Sequence, residues 1–462
     1  MASNRPLTYA ADVPVEEPHQ RKGNQNDQYV EHVQSDVESN DRHVANTVSV
    51  ARSRIVGFSV GGAVLAAIII AIILCSVLLP DTGDAASQLT STSSSPSLTS
   101  QTVDTTTHKN PQSGGIQGNF LHLSDFHLDL LYDERYSKDC FCNDPTTAYG
   151  SDTSDSAISR AADCLVSEPS TVVGRHGCDS PESLINRTLQ HAHSVIPNPD
   201  FILITGDYVR HNTDDLLGGG SARIQFILNT IDRVTELVQA YFPETSTHHA
   251  LEPFVDSADQ NGAAVINVLG NNDLDGDYFL EVPTNETESP WLSAVAPSFF
   301  NSLSANQTAS FARGGYFIQE VRPGLHIVSL NTVIYSPHHR PSNVTSNDPF
   351  QQFQWLRTTL STLASTANGN ISVYLVGHIP PVIDQFSFSL QWEARFVEEY
   401  FNIVREHSDI ITEQLFGHVH CNTFRLVSLP GTQQVRPLHV TTAITPVYQN
   451  NPGFRIWNYN TS

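Results

Sequence analysis

The chain has 462 residues, 39% hydrophobic and 16% charged, with 48 Asp and Glu against 24 Lys and Arg. A formal net charge of −24 excludes a basic nucleic-acid-binding surface and disfavours a polyanionic substrate unless metals or a local basic cluster offset it. The length admits one large domain plus extensions, and the 20 histidines would soften the charge in an acidic compartment.

Residues 1–54 are polar, lack apolar periodicity and read as a disordered cytoplasmic tail. Residues 55–79 are apolar and uncharged, long enough to cross a ~30 Å hydrocarbon core. The run lies too deep and is too long for a cleaved signal peptide. Arg52 and Arg54 precede it while Asp81 and Asp84 follow, which predicts a type II signal anchor with the C-terminal part in a lumen or outside the cell. Gly57 and Gly61 form a GxxxG, a pattern through which two spans can pair into a homodimer. Residues 80–117 are rich in Ser and Thr and read as a stalk. Six glycosylation sequons, at Asn186, Asn285, Asn306, Asn343, Asn370 and Asn460, all follow the span.

Residues 118–462 are expected to form the catalytic domain. Five short hydrophobic runs there, 120–124, 201–205, 265–269, 372–376 and 413–416, read as strands. Each ends in oxygen- or imidazole-bearing residues: Asp125-Phe-His127, Gly206-Asp207, Gly270-Asn271-Asn272-Asp273, Gly377-His378 and Gly417-His418-Val-His420. Further strands are expected at 316–321, 325–330, 438–442 and 454–459, and apolar steps of three and four predict helices over 221–242, 349–363 and 391–406. Strands alternating with helices indicate an α/β sandwich of two sheets flanked by helices. The carboxyl ends of such strands converge on one crevice, which would gather Asp125, His127, Asp207, Asn271, His378, His418 and His420. Taken singly, each is more often a cap or a satisfied polar group; the recurrence makes the set a candidate site for two metal ions. Mixed oxygen and imidazole donors fit Zn, with Mn or Fe as alternatives. Each ligand segment after the first opens on Gly206, Gly270, Gly377 or Gly417, where a missing side chain would permit a sharp turn.

Cys140, Cys142, Cys164, Cys178 and Cys421 fall on the lumenal side of the span. The group from 140 to 178 has room for two disulfides of unreadable connectivity; the spacing of Cys140 and Cys142 does not suit a zinc knuckle. Cys421 reads as an inert buried thiol.

In order and spacing the five segments resemble the calcineurin-like metallophosphoesterase superfamily, whose signature D-x-H, G-D, G-N-H-D/E, G-H and G-H-x-H is broken here once, at Asn272. The resemblance implies that Asp125, His127, Asp207 and His420 hold one ion. Asp207, Asn271, His378 and His418 would hold the other, and a bridging hydroxide would attack phosphorus in line. It narrows to the branch of acid-sphingomyelinase-like phosphodiesterases and vacuolar endopolyphosphatases. The residues carrying it are 120–127, Cys178-Asp-Ser-Pro181, Thr205-Gly-Asp-Tyr-Val-Arg-His211, Ser329-Leu-Asn-Thr332, Gly377-His-Ile-Pro-Pro381 and 451–459. Cys178–Pro181 can equally be a helix start capped by Ser180. His211 is the candidate for contacting the leaving group; Arg210, His338, His339 and Arg340 are candidates for binding phosphate, though surface loops carry such residues routinely.

Asn272 stands where the sphingomyelinase-like members resemble one another in carrying a His. An amide cannot act as a general acid, so loss of this proton donor favours a phosphoanhydride such as polyphosphate, whose leaving group departs unaided. A sphingomyelin-like phosphodiester is the alternative substrate. A non-catalytic ectodomain is the third reading, disfavoured because all seven ligands are present.

Overall fold

The computed structural model describes residues 117–460 apart from 149–154, 170, 216–219, 244–263, 284–287, 303–304, 343, 367–370 and 430. The segments expected to form the tail, the membrane span and the stalk lie outside these residues up to position 116, as do Asn285, Asn343 and Asn370. Among the described residues no helix is long and apolar enough to cross a membrane.

Among the described residues ten strands build two sheets. The first has the order β10-β1-β2-β3, from β1 (Gln117–Leu123), β2 (Phe201–Ile204), β3 (Ala264–Asn267) and β10 (Arg455–Asn460). The second runs β4-β5-β6-β7-β9-β8, from β4 (Phe317–Arg322), β5 (Leu325–Ser329), β6 (Ser372–Val376), β7 (Ile411–Phe416), β8 (Thr423–Ser428) and β9 (Val435–Val440). Neighbours β1, β2 and β3 pair in parallel, and so do β5, β6, β7 and β9; β10, β4 and β8 add antiparallel edges. Central parallel strands are covered on both faces, so β2, Phe-Ile-Leu-Ile, is buried throughout. The edge strand β8 alternates half-buried with exposed residues.

The sheets meet through aromatic rings: Phe120 of β1 stacks on Phe201 at 4.4 Å and reaches Tyr374 of β6 at 6.1 Å. Helices cover the sheets. Leu184, Ile185, Leu189 and Ala192 form the buried face of α1 (Glu182–Val195), while Ile227, Ile231, Val234 and Val238 do the same for α2 (Ser221–Tyr241). Helix α3 (Gln352–Thr366) starts after Asp348, whose carboxylate accepts the Phe353 and Gln354 N–H groups at 2.8 and 2.9 Å. Phe396, Tyr400, Ile403 and Val404 anchor α4 (Ala394–Glu406).

The α/β architecture of two sheets with flanking helices matches the expectation from sequence, and the expected strands and helices fall within a few residues of those observed. Helices Asp155–Cys164, Pro290–Val295 and Ala305–Gly314 were not anticipated, nor were the extent of α1 beyond its start and strand β8. Helix α1 carries a weak pattern diluted by polar residues, and β8 buries too little of either face to show a core period. Two disulfides, Cys140–Cys164 and Cys142–Cys178, settle the connectivity. Cys421 is a free thiol and only half-buried, not the fully buried one expected.

Candidate metal centre

The five ligand segments leave the carboxyl ends of β1, β2, β3, β6 and β7 and close on one another. Their interlock is tight. A Cβ at Gly270 would collide with the Asp207 carboxylate and backbone, one at Gly417 with Ser124 and Asp125, and one at Gly377 with Thr332. Of the four glycines singled out by sequence, only Gly206 needs its freedom of conformation, at φ +90°; the other three are required by close approach. Backbone strain falls instead on the ligands. Asp125, His127, Asp207, His418 and His420 all have positive φ, between 41° and 70°, a region costly for residues with a Cβ.

The seven side chains converge. His127 Nε2 lies 3.4 Å from Asp207 Oδ2 and 3.3 Å from His420 Nε2, which in turn lies 3.3 Å from Asp125 Oδ1. On the other side, His378 Nε2 lies 3.1 Å from Asp207 Oδ2, 3.1 Å from Asn271 Oδ1 and 3.2 Å from His418 Nδ1. Asp207 Oδ2 thus sits between two imidazole clusters. Ligand atoms at ~2.1 Å around a tetrahedral ion stand roughly 3.4 Å from one another, close to these separations.

The tautomers agree with a metal site. His127 Nδ1 lies 2.9 Å from the Val209 carbonyl and His378 Nδ1 lies 2.6 Å from the Thr205 carbonyl. A carbonyl only accepts, so each Nδ1 donates and each Nε2 turns inward, where the neutral form of the ring presents its lone pair. Facing nitrogen lone pairs repel unless a proton or cation lies between them, and this donor set of carboxylate, amide oxygen and imidazole suits hard to borderline divalent ions. The residues present therefore fit two ions.

Burial sets the charges. Alone it would raise the carboxyls of Asp125 and Asp207, but the facing imidazoles, His420 for one and His378 for the other, hold both well below the usual range. Burial lowers His127 and His418 to about 3, keeping them neutral.

Residues that sequence reasoning left outside the ligand set support this centre. The Asp273 carboxylate accepts the backbone N–H groups of Asp207, Tyr208, Val209 and Gly270 at 2.8–3.2 Å, knitting the second and third segments together. Burial and the Asp207 charge push its pKa up to about 7. Asp277 accepts from Asn271 Nδ2 at 2.7 Å, which turns Asn271 Oδ1 toward His378. Thr332 Oγ1 accepts the His378 and Ile379 N–H groups, so the Ser329–Thr332 motif holds the fourth segment in place.

Cys178–Pro181 is both the start of a helix, α1 following at Glu182, and a support of the site. Ser180 Oγ makes no hydrogen bond and Pro181 occupies the N-cap of α1, so the expected Ser180 cap is absent. Asp179 is the active member: its carboxylate takes the His211 backbone N–H at 2.9 Å and faces His211 Nδ1 at 2.8 Å. His211 stacks on His127 at 3.9 Å, and its ligand atom groups with those of His127 and His420 within 4.8 Å. Burial disfavours charge on His211, yet Asp179 outweighs it and raises the pKa to about 9.

The phosphate-binding candidates mostly point elsewhere. Arg210 is buried, its guanidinium held by Asp129 at 3.2 Å and by Asn143. His339 is buried with Nε2 on the Leu280 carbonyl at 2.9 Å. Arg340 is paired with Asp214 at 2.6 Å. Arg210 and His339 are turned into packed loops, whereas Arg340 is exposed and held by its ion pair and by the Asp277 carbonyl. His338 is exposed and lies edge-on to Tyr278, whose hydroxyl approaches His418 Nε2 at 3.3 Å, at the rim of the site. Asn272 does not face outward: its backbone N–H and its Nδ2 both donate to Asp207, at 2.9 and 3.1 Å. Of the sequons described, Asn306 and Asn460 are exposed, whereas Asn186 lies in α1 with Nδ2 donating to the Glu182 carbonyl at 3.1 Å.

The sequence profile of the calcineurin-like phosphoesterase family matches residues 118–422, a span that contains all five ligand segments. The chain belongs to the calcineurin-like phosphoesterase family. It is accordingly a metal-dependent phosphoric ester hydrolase, of a family of dinuclear metal enzymes. Among curated relatives it is 29% identical to a sphingomyelinase phosphodiesterase D of Dictyostelium discoideum, over 75% of this chain and 72% of that one. It is also 29% identical to the human acid sphingomyelinase-like phosphodiesterase 3b, over 74% and 68%. A cyclic GMP-AMP phosphodiesterase of Bos taurus is 28% identical over 75% and 68%. These names match the sphingomyelinase-like branch and favour the phosphodiester alternative over the polyphosphate reading.

Proposed function

We propose that this calcineurin-like phosphoesterase is a phosphodiesterase in which His211, positioned by Asp179, delivers a proton to the departing oxygen. The observation that carries this reading is the Asp179–His211 pair stacked on His127. The case for an anhydride rested on Asn272 being unable to act as an acid, but a second imidazole stands beside the cluster. With Nδ1 committed to Asp179, His211 keeps Nε2 for the leaving group, and Tyr448 Oη lies 3.5 Å from that nitrogen. Asn272 becomes a clamp on Asp207.

Asp125, His127, Asp207 and His420 would hold one ion, and Asp207, Asn271, His378 and His418 the other. When bound, divalent ions supply an activated water and offset charge on the phosphoryl oxygens. The chain's own groups do the rest: Asp277 aims Asn271, Asp273 fixes the Asp207 loop, and His338 with Tyr278 lines the rim. The proposal places residues 118–462 in a lumen or outside the cell, tethered through residues 55–79; the charge asymmetry about that run and the sequons after it support this.

The metal-loaded full chain should hydrolyse bis-p-nitrophenyl phosphate and a natural phosphodiester (sphingomyelin or a cyclic dinucleotide) at least tenfold faster than polyphosphate or ATP. Hydrolysis of either anhydride faster than every diester would overturn the reading.

A further inference from the structure

A loop beside the metal centre displays apolar side chains that the fold does not use. It follows His378 and runs from Val382 to Gln391. Ile383, Phe386, Phe388 and Leu390 are 54%, 67%, 81% and 46% exposed. The loop is nonetheless built to a fixed shape. Ile383 and Leu390 bridge antiparallel across its base, and Gln391 N–H donates to the Val382 carbonyl at 3.0 Å. At its tip the Asp384 carboxylate accepts the Phe386 and Ser387 N–H groups, at 3.3 and 2.8 Å, and the Ser387 hydroxyl at 2.5 Å. Phe388 is held at φ 56°, a conformation unfavourable for a bulky residue, while its ring stands in solvent. Such strain on an exposed aromatic points to a use outside the molecule. The loop lies at the mouth of the site: Arg425 donates to Gln385 at 3.2 Å, and Cys421, next to His420, also hydrogen-bonds Gln385.

We propose that Ile383, Phe386, Phe388 and Leu390 dock the catalytic domain on a zwitterionic lipid surface, so that the metal centre meets a phosphodiester headgroup at the bilayer. The inference rests on the phosphodiesterase reading and on the tether. Two observations select this occupant. Between 382 and 391 the only formal charge is Asp384, engaged within the loop, while the chain carries −24, so an anionic membrane would be repelled and a zwitterionic one would not. The apolar run 55–79 is followed by residues 80–117, Ser- and Thr-rich by sequence, and a linker of such composition and length would span about 35 Å. The domain would therefore hang within reach of a bilayer. The loop's make-up, aromatic and aliphatic residues around a short polar turn, suits the headgroup boundary.

The test uses the metal-loaded full chain in phosphatidylcholine–sphingomyelin proteoliposomes. Phe388→Trp should add emission that is blue-shifted and at least half quenched by brominated phosphatidylcholine. Val195→Trp, at the exposed C-terminal end of α1 and away from the strand ends that carry the site, should stay unquenched. The double variant Phe386→Ser, Phe388→Ser should lose at least tenfold in turnover of bilayer-borne diester yet stay within twofold on soluble bis-p-nitrophenyl phosphate. Unquenched, solvent-like emission from Phe388→Trp overturns the proposal. So does conversion of a dimer to a monomer by the double variant, which would make the loop a protein interface. Absence of diester turnover in the parent chain, with quenching intact, would instead reject the phosphodiesterase reading and leave lipid docking standing.

Discussion

At the scale of single residues, the centre divides into groups that would hold metal, groups that aim them and one that would move a proton. His211→Gln should lower kcat by about 10²–10⁴ on a diester with an alkoxide leaving group. It should cost far less on p-nitrophenyl esters, whose leaving group departs without an acid; equal losses on both would remove the proton-donor role. Asp179→Asn keeps the shape but not the charge beside His211 Nδ1. It should reproduce part of that leaving-group-dependent loss with KM little changed, and a uniform loss across substrates would mean that Asp179 serves only the fold. Asn272→Ala removes the Nδ2 donor to Asp207. Contacts of this kind to a ligating carboxylate are worth about 10- to 100-fold in metal affinity, so the variant should need correspondingly more metal for half-maximal loading in an equilibrium titration. Full affinity with a defect confined to poor leaving groups would restore Asn272 as a substrate contact.

At the scale of elements, the strand ends matter more than the strands. Five proposed ligands in left-handed backbone conformations would relax if their loops were free, so the loops must be held from outside. Asp273 does this with one carboxylate for four N–H groups. Asp273→Ala would leave those buried donors without an acceptor, and a destabilisation of at least about 3 kcal/mol is expected in metal-free denaturant unfolding. A change under about 1 kcal/mol would show that water or neighbouring carbonyls replace it. The sequence displays Asp273 as the end of a motif but gives no sign of its task, since three of its four partners lie 64–66 positions away in and after the Gly206-Asp207 segment.

At the scale of the molecule, the disulfides divide their labour. Cys140–Cys164 closes a peripheral loop, whereas Cys142–Cys178 ends one residue before Asp179 and so ties the loop to the His211 support. Each cross-link should contribute roughly 3–4 kcal/mol by the chain-entropy relation. Replacing Cys142 and Cys178 with Ser should cost stability and also kcat on poor leaving groups. Replacing Cys140 and Cys164 should cost stability while leaving kcat nearly unchanged; similar kinetics in the two variants would deny the link to Asp179. The oxidising compartment expected from the sequons and the apolar run would then protect both the fold and the chemistry.

The sequence by itself determined the fold class and the seven converging side chains, because short hydrophobic runs ending in ligand-type residues are local patterns and parallel strands bring their ends together. It also displayed Cys178–Pro181 and His211, but not that Asp179 holds His211 against His127, because that pairing spans 32 positions and depends on how two loops pack. Arg210, His339 and Arg340 looked like phosphate ligands for the same reason: a sequence shows charge, and only the packed structure shows which way it turns. Tertiary structure alone showed that Asn272 binds Asp207 and that His211 stacks on His127. Local patterns identify the donors, whereas the direction of each side chain is set by contacts between segments far apart in the chain.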